Sequence, residues 1–518
     1  MKRFLMSSFM LMLAMGAVCT TSKYNMITHE TTETDSIEET VSEIKLPVVH
    51  ILTEDSIEPS CQTIMHPEGC IGQSITENHY VKGSMTIHDG DELIYNSGEY
   101  EKGTGGMRIK VRGNTSADFP YKSFKVKTEV KTDMLNRDDE KYESRSWVLL
   151  NIYSTRDLRV VTGFEVAKLM GAEWEPEYKF VNLFINGEYR GLYMLSESIE
   201  AGEGRCNLED ETGLLMEDDA YWWNEGADEP VIKTDSLPYE AGYTFKHPKL
   251  NVDDPVLDEI KDYLNAFEDS LYNGRDISRY IDYESFARWI LTHDLLGGWD
   301  AAGSNIYIKK DDFLGGEDNF NTKLEMGPLW DFDSIFKTQS KWADIHIGRF
   351  FYFRELFKRP DFIIVYQELW NDVREEIGEK INSFIDDFAE QYGEAIDQSR
   401  LISPPGIEYW PSTISDDVKE VKDWFEKRIS WMDDEIPEML QAVSVTQVQD
   451  SNRIVSVTIS DIDGRICGKY RGTDAERIFN SKNTASRILK AHPGIYIMYA
   501  EYEDGTVVSR KHVIFNNK

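Results

Sequence analysis

The 518-residue sequence predicts an α+β protein with a β-rich first lobe, a mostly helical second lobe and a small C-terminal β-sandwich. Three observations carry this reading. Short alternating strands bounded by turns dominate Leu46 to Glu197, helical periodicity takes over after Asp253, and alternation returns from about Ala442. At roughly 100 to 200 residues per domain the length predicts about two to four units. The 41% of hydrophobic residues, among them Trp 12, Tyr 26 and Phe 24, supply enough material for a large core.

Residues 1–22 read as a secretory leader: Lys2 and Arg3 precede an apolar run from Phe4 to Val18 that is too short to span a bilayer. The chain is therefore expected to be exported, to the cell surface, the outer membrane or the medium. Gly16-Ala17-Val18-Cys19 resembles a lipoprotein cleavage box, so a lipid on Cys19 and ordinary leader cleavage compete, and only such a lipid would tie the protein to a membrane. Residues 23–44, rich in Thr, Ser and Glu, are expected to form a disordered spacer.

Residues 45–441 form the predicted main domain. Its strands are Val48 to Leu52, Gly83 to His88, Met107 to Arg112, Ser123 to Thr128, Ser146 to Leu150, Lys179 to Ile185 and Gly191 to Ser196. One helix interrupts them, Arg156 to Met170, with apolar residues at helical spacing and Gly171 at its end. The later helices are Pro255 to Tyr272, Tyr283 to Leu296, Pro360 to about Tyr392 and Ser415 to Leu440. Residues 442–518 carry strands at Ile454 to Ile459, Ile495 to Ala500 and Val507 to Phe515. Cys61 and Cys70 stand close enough in sequence for a disulfide, whereas Cys206 and Cys467 are expected to stay unpaired and buried.

Charge narrows the function. With 56 basic and 93 acidic side chains the net charge is −37, which would repel a polyanion and argues against nucleic acid as a partner. Against that background, Lys102 to Lys131 holds eight basic residues and two acidic ones, together with Gly103, Gly105, Gly106 and Gly113. Strand alternation makes Lys125 and Lys127 project together while Lys122 faces elsewhere. Such a segment suits a small phosphorylated ligand, and the competing reading is a solvated basic edge.

Downstream, Asp300 and Asn305 stand at the spacing at which a kinase-type catalytic loop places its proton acceptor and a metal ligand. Trp330-Asp331-Phe332-Asp333 then places two carboxylates one residue apart, suited to a hard divalent cation, although Asp331 could instead cap a helix near Ser334. Strand lysine, Asp with Asn, then metal carboxylate is the order of parts in a phosphoryl-transfer enzyme.

With these motifs, the sequence resembles the CotH (spore coat protein H) kinase family. The resemblance runs from about Leu46 to Glu435 through Leu46-Pro47-Val48-Val49, Arg112-Gly113-Asn114-Thr115-Ser116, Pro120-Tyr121-Lys122-Ser123-Phe124-Lys125-Val126-Lys127, Asn186-Gly187-Glu188-Tyr189-Arg190-Gly191-Leu192-Tyr193 with Glu197, Asp300 with Asn305, and the Trp330 to Asp333 motif. It implies an atypical protein-kinase-like two-lobed fold that binds ATP with Mg²⁺ or Mn²⁺ and phosphorylates Ser or Thr of protein substrates. It further implies Asp300 as catalytic base, Asn305 and Asp331 as metal ligands supported by Asp333, and Lys122 and Lys127 on the nucleotide phosphates. Arg112 and Asn114 would lie in the phosphate-covering loop and Glu197 near the nucleotide. Tyr121 stands where the family has a second lysine, and Glu165 is a candidate ion-pair partner for the phosphate lysine.

Through Ile459-Ser460-Asp461-Ile462-Asp463-Gly464-Arg465, Pro493-Gly494-Ile495-Tyr496 and Asp504-Gly505-Thr506, the C-terminal part resembles type IX secretion sorting domains. Two other readings compete: a non-catalytic surface adhesion protein on the same fold, and a nucleotide-sugar transferase using Asp331 and Asp333.

Overall fold

The structure is a computed structural model. It describes residues 33–65, 73–75, 79–113, 115–152, 156–208, 212–222, 229–236, 242–298, 305–313, 319–336, 351–404, 407, 413–440, 454–461, 465–471, 475, 478–479, 494–502 and 507–514. The expected leader with Cys19, the first part of the spacer, Cys70, Asn114 and Asp300 lie outside the described residues.

Within the expected spacer, helix α1 (Glu33–Glu43) forms. Ile37 and Val41, one helical turn apart, pack with Phe184 and Tyr189, so this segment does have something to bury. The strands that follow are β1 (Val48–Thr53), a short hairpin of β2 (Thr63–Met65) and β3 (Gln73–Ile75), β4 (Val81–Asp89), β5 (Glu92–Asn96), β6 (Met107–Arg112), β7 (Ser123–Thr132) and β8 (Ser144–Asn151). Helix α2 (Arg156–Leu169) precedes β9 (Tyr178–Ile185) and β10 (Glu188–Glu197).

Seven of these strands close on themselves in the order β1-β9-β10-β8-β7-β6-β4, with β4 pairing back to β1 and β5 added on β4. The expected β-rich half is thus a barrel, an architecture that removes free edges and that strand spacing alone does not distinguish from an open sheet. Val49, Ile51, Met85, Ile87, Ile109, Val126, Trp147, Leu149 and Leu183 fill its interior. The alternate residues face outward, and Val148, Leu192, Met194 and Phe180 on that outer surface join α2 in the main core.

The second half is more mixed than expected. It contains a five-stranded antiparallel sheet, β12-β13-β11-β14-β15. Its strands are β11 (Leu214–Asp219), β12 (Val231–Ile232), β13 (Gly242–His247), β14 (Ile306–Lys310) and β15 (Glu325–Met326). The helices are α3 (Val256–Tyr272), α4 (Tyr283–Leu296), α5 (Phe353–Leu356), α6 (Pro360–Leu401) and α7 (Ile414–Glu435). Local signals set their ends: Asp282 caps α4 by accepting from the Ser285 N–H at 2.8 Å, Gly297 closes it at φ 63°, and Pro360 starts α6. One continuous core links α2, α4, α6, α7 and the outer wall of the barrel.

At the C-terminus, β16 (Ile454–Asp461), β17 (Ile466–Arg471), β18 (Gly494–Tyr502) and β19 (Val507–Ile514) make a single antiparallel sheet, β17-β16-β18-β19. Among the described residues this is one sheet, where a two-sheet sandwich was expected. It has its own small core around Val457, Ile459, Phe479 and Met498. Cys61 is a free thiol that donates to the Ala117 carbonyl, and Cys206 is free and buried, whereas Cys467 is free but exposed, because the strand Ile466–Arg471 that carries it is largely open to solvent. No helix among the described residues is long and apolar enough to cross a membrane.

Candidate active site

The basic segment of the sequence becomes the outer face of β6 and β7. Antiparallel register sets Arg108 opposite Lys127 and Lys110 opposite Lys125. Like charges directly opposite each other repel, so this arrangement needs either a shared partner or an anion. The Tyr80 ring is one partner, with Arg108, Lys110 and Lys127 at 5.5, 5.2 and 5.7 Å from its centroid. Lys125 is partly buried, and its pKa is pushed down to about 8, first by burial and then by repulsion from Lys127, Lys246 and Arg112, against the pull of Glu200.

Arg112, the last residue of β6, reaches into the second half of the chain. Its guanidinium lies 5.3 Å from the Trp330 ring. Burial lowers its pKa, while Tyr307, Asp331 and Glu217 favour its charge. Glu217 from β11 in turn holds Lys246 from β13 at 2.6 Å. The barrel's cationic wall therefore meets the carboxylates and Tyr307 of the five-stranded sheet.

Asn305 and Asp331, 26 residues apart in sequence, meet directly: the Asn305 amide donates to Asp331 Oδ2 at 3.0 Å. Both backbones are left-handed, Asn305 at φ 70° and Asp331 at φ 63°, a conformation that Asn and Asp tolerate best among non-glycine residues. Asp331 occupies the N-cap position of the single 3₁₀ turn Phe332–Ser334, but its side chain makes no capping hydrogen bond. The competing capping role is thus unfilled, and the carboxylate is turned toward Asn305. Asp333 lies in that turn.

The turn is anchored from behind by Phe332, which is fully buried. Its ring packs edge-on to Phe164 of α2 at 5.5 Å and near His293 of α4 at 5.5 Å. Burial holds His293 neutral, with its pKa pushed down to about 3. Gly163 makes room: a Cβ there would stand 2.2 Å from the Phe332 ring.

The other expected site residues have partners of their own. Lys122 donates to the carbonyls of Ala117 at 2.7 Å and Phe119 at 3.2 Å, fastening the loop before β7. Glu197, at the end of β10, holds Arg137 at 2.6 Å and Arg205 at 2.9 Å and accepts the Glu177 N–H at 3.0 Å. Glu165 lines a cavity of about 280 Å³ between α2 and α6, beside Lys168 and Glu177. Sequence reasoning missed Glu217, Tyr307 and Lys246. Leu214 to Asp219 has no alternation to mark it as a strand, so nothing placed Glu217 opposite the basic wall.

The profile of the family described as CotH kinase protein matches residues 109–432, more than half of the chain. The chain belongs to the CotH kinase protein family. The matched stretch contains Arg112, Lys125, Glu217, Asn305, Asp331 and Asp333, whereas Arg108 and Tyr80 of the basic face precede it. Strands β1 and β4, which close the barrel, and the C-terminal sheet lie outside it. A search of curated proteins returned no match to the chain.

Among the described residues no group of three or more His, Cys, Asp and Glu could hold a metal. A Mg²⁺ ion usually takes one or two protein carboxylates and completes its shell with water and phosphate oxygens. One carboxylate and one amide, Asp331 and Asn305, fit that sparse donor set.

Proposed function

We propose that this CotH-family protein is an exported protein kinase, two-lobed in the kinase manner, that transfers the γ-phosphate of ATP to Ser or Thr of protein substrates with Mg²⁺ or Mn²⁺. The observation that carries the proposal is the Asn305 to Asp331 pair with Arg112 beside Asp331, on the strand face that also bears Lys125 and Lys127. Asp331 and Asn305 would hold the metal, with Asp333 beside them. When bound, the ion supplies charge neutralisation at the phosphate oxygens. Arg112, Lys125 and Lys127 neutralise the remaining phosphate charge and fix the nucleotide against the barrel, and Asp331 and Glu217 hold Arg112 in its charged form.

Asp300 orients the acceptor hydroxyl and takes its proton. The new bond joins the acceptor oxygen to the γ-phosphorus, the bond to the β-phosphate oxygen breaks, and ADP leaves. Export rests on the leader in residues 1–22 and on the C-terminal likeness to sorting domains.

Incubation with labelled ATP, Mg²⁺ and casein-like or coat-like substrates tests this. Wild type is expected to incorporate phosphate, and Asp331→Ala and Asp300→Ala to lose at least about 100-fold. Equal incorporation by all three removes the assignment. ATP stabilisation without turnover would favour the adhesion reading instead.

A further inference from the structure

A second cavity, of about 640 Å³, opens between the C-terminal end of α2, helix α4, residues 203–207 and the segment Gly327, Pro328 and Leu329. Arg112, Lys125, Glu217, Asn305 and Asp331 are not among its lining residues. The volume falls within the roughly 300–1,000 Å³ typical of small-molecule sites.

Its walls are predominantly acidic, with six carboxylates against four cationic side chains. The cations are already engaged. Lys309 holds Glu173 at 2.6 Å and Glu325 at 3.3 Å, Arg288 pairs with Glu284, Arg205 with Glu197, and Lys141 with Asp139.

Glu175 stands apart. It is 3% exposed, and among the described residues it makes no ion pair, while Lys168, which acts on it, is itself paired with Glu177. Its Oε1 accepts the Leu329 N–H at 3.3 Å, and its Oε2 has no hydrogen-bond partner. The buried indole N–H of Trp289, on the same lining, is also without an acceptor. A buried carboxylate left without a cation is costly, and so is an unmade buried hydrogen bond. Burial raises the Glu175 pKa well above the usual carboxylate range, against the pull of the Leu329 N–H and Lys168, so the carboxyl by itself favours its neutral form and a cation brought to it would draw it into the carboxylate.

We infer that this cavity binds a small organic cation, a primary amine or guanidinium, whose charged head donates to the unpartnered oxygen of Glu175. The Trp289 N–H then takes an acceptor on the same molecule or on a water carried in with it. Exposed Glu203 at the rim adds attraction for the entering charge. The inference does not rest on the kinase reading, because no residue of the phosphate-facing cleft takes part.

Isothermal titration of the full chain with agmatine, putrescine and succinate tests it. Agmatine or putrescine is expected to bind with a Kd below about 1 mM, and succinate to give no binding heat. Glu175→Gln keeps the shape and removes the charge, and is expected to weaken binding at least tenfold. Glu203→Lys, at an exposed position, is expected to weaken binding about threefold at low salt with an unchanged melting temperature, which decides the matter even where Glu175→Gln fails to fold. The inference is overturned by any of three results: no cation binding up to about 10 mM, full affinity in a folded Glu175→Gln variant, or agmatine binding that saturating Mg-ATP abolishes competitively.

Discussion

At Lys125 two effects act in the same direction: burial strips water from the ammonium, and Lys127, Lys246 and Arg112 repel it. With its folded pKa near 8, below the roughly 10.4 of an unfolded chain, Lys125 binds fewer protons folded than unfolded between those values. Its own contribution to stability therefore rises with pH across that window. A polyphosphate has the opposite preference and favours the ammonium. ATP affinity is expected to be greatest below pH 8 and to weaken above it, by up to about tenfold per pH unit from this group. Lys125→Met should bind ATP more weakly and show a flatter pH profile by titration. A profile of unchanged shape in that variant would remove Lys125 from the phosphate site. Glu197 makes a contrasting case, because it sits fully buried between Arg137 and Arg205. Glu197→Gln leaves Arg205 without its paired carboxylate, while Arg137 keeps Asp133, and should cost about 3 kcal/mol. Thermal unfolding is expected to show that loss while ATP affinity stays within about twofold. A tenfold loss of ATP affinity at an unchanged melting temperature would place Glu197 at the nucleotide after all.

The element that sets the metal-ligand turn is α2. Gly163 within a helix is a liability of about 1 kcal/mol relative to Ala, yet a Cβ at that position would meet the Phe332 side chain at 2.2 to 2.7 Å. Overpacking of this kind costs about 1–3 kcal/mol, so the clash outweighs the helical gain. Phe332 is fully buried and cannot swing away without carrying Asp331 with it. Gly163→Ala is therefore expected to lower both the melting temperature and the stabilisation by Mg-ATP, and Phe332→Leu in the same chain should restore part of each. A single variant more stable than wild type, with normal ATP binding, would contradict the coupling. The sequence made α2 legible because its apolar spacing is regular and Gly171 follows it, and β6 emerged with its full span for a similar reason. Asn305 and Asp331 were found through their spacing to other polar residues, and they do meet. Glu217 was hidden because β11 is buried along most of its length and lacks a polar alternate face, and the partners of Lys122 and Glu197 depend on register and loop closure.

On the scale of the molecule, the CotH region is not a closed structural unit. Its barrel is completed by β1 and β4, which precede the matched stretch and bury Val49, Ile51, Met85 and Ile87 against Ile109, Val126 and Leu183. Without them β6 and β9 would become free edges beside an exposed apolar interior, a recipe for aggregation. The C-terminal sheet is different, since its core of Val457, Ile459, Phe479 and Met498 shares no residue with either large core. A chain starting at Met107 is accordingly expected to be insoluble, whereas one ending at Leu440 should unfold cooperatively at the wild-type temperature and keep ATP binding and phosphate transfer within about twofold, as distant sites without shared partners behave additively. Calorimetry on the two truncations, with Mg-ATP added to the soluble one, measures both halves of the claim. A folded, ATP-binding chain from Met107 would mean that the barrel need not close, and loss of ATP binding in the chain ending at Leu440 would mean that the C-terminal sheet helps to build the cleft.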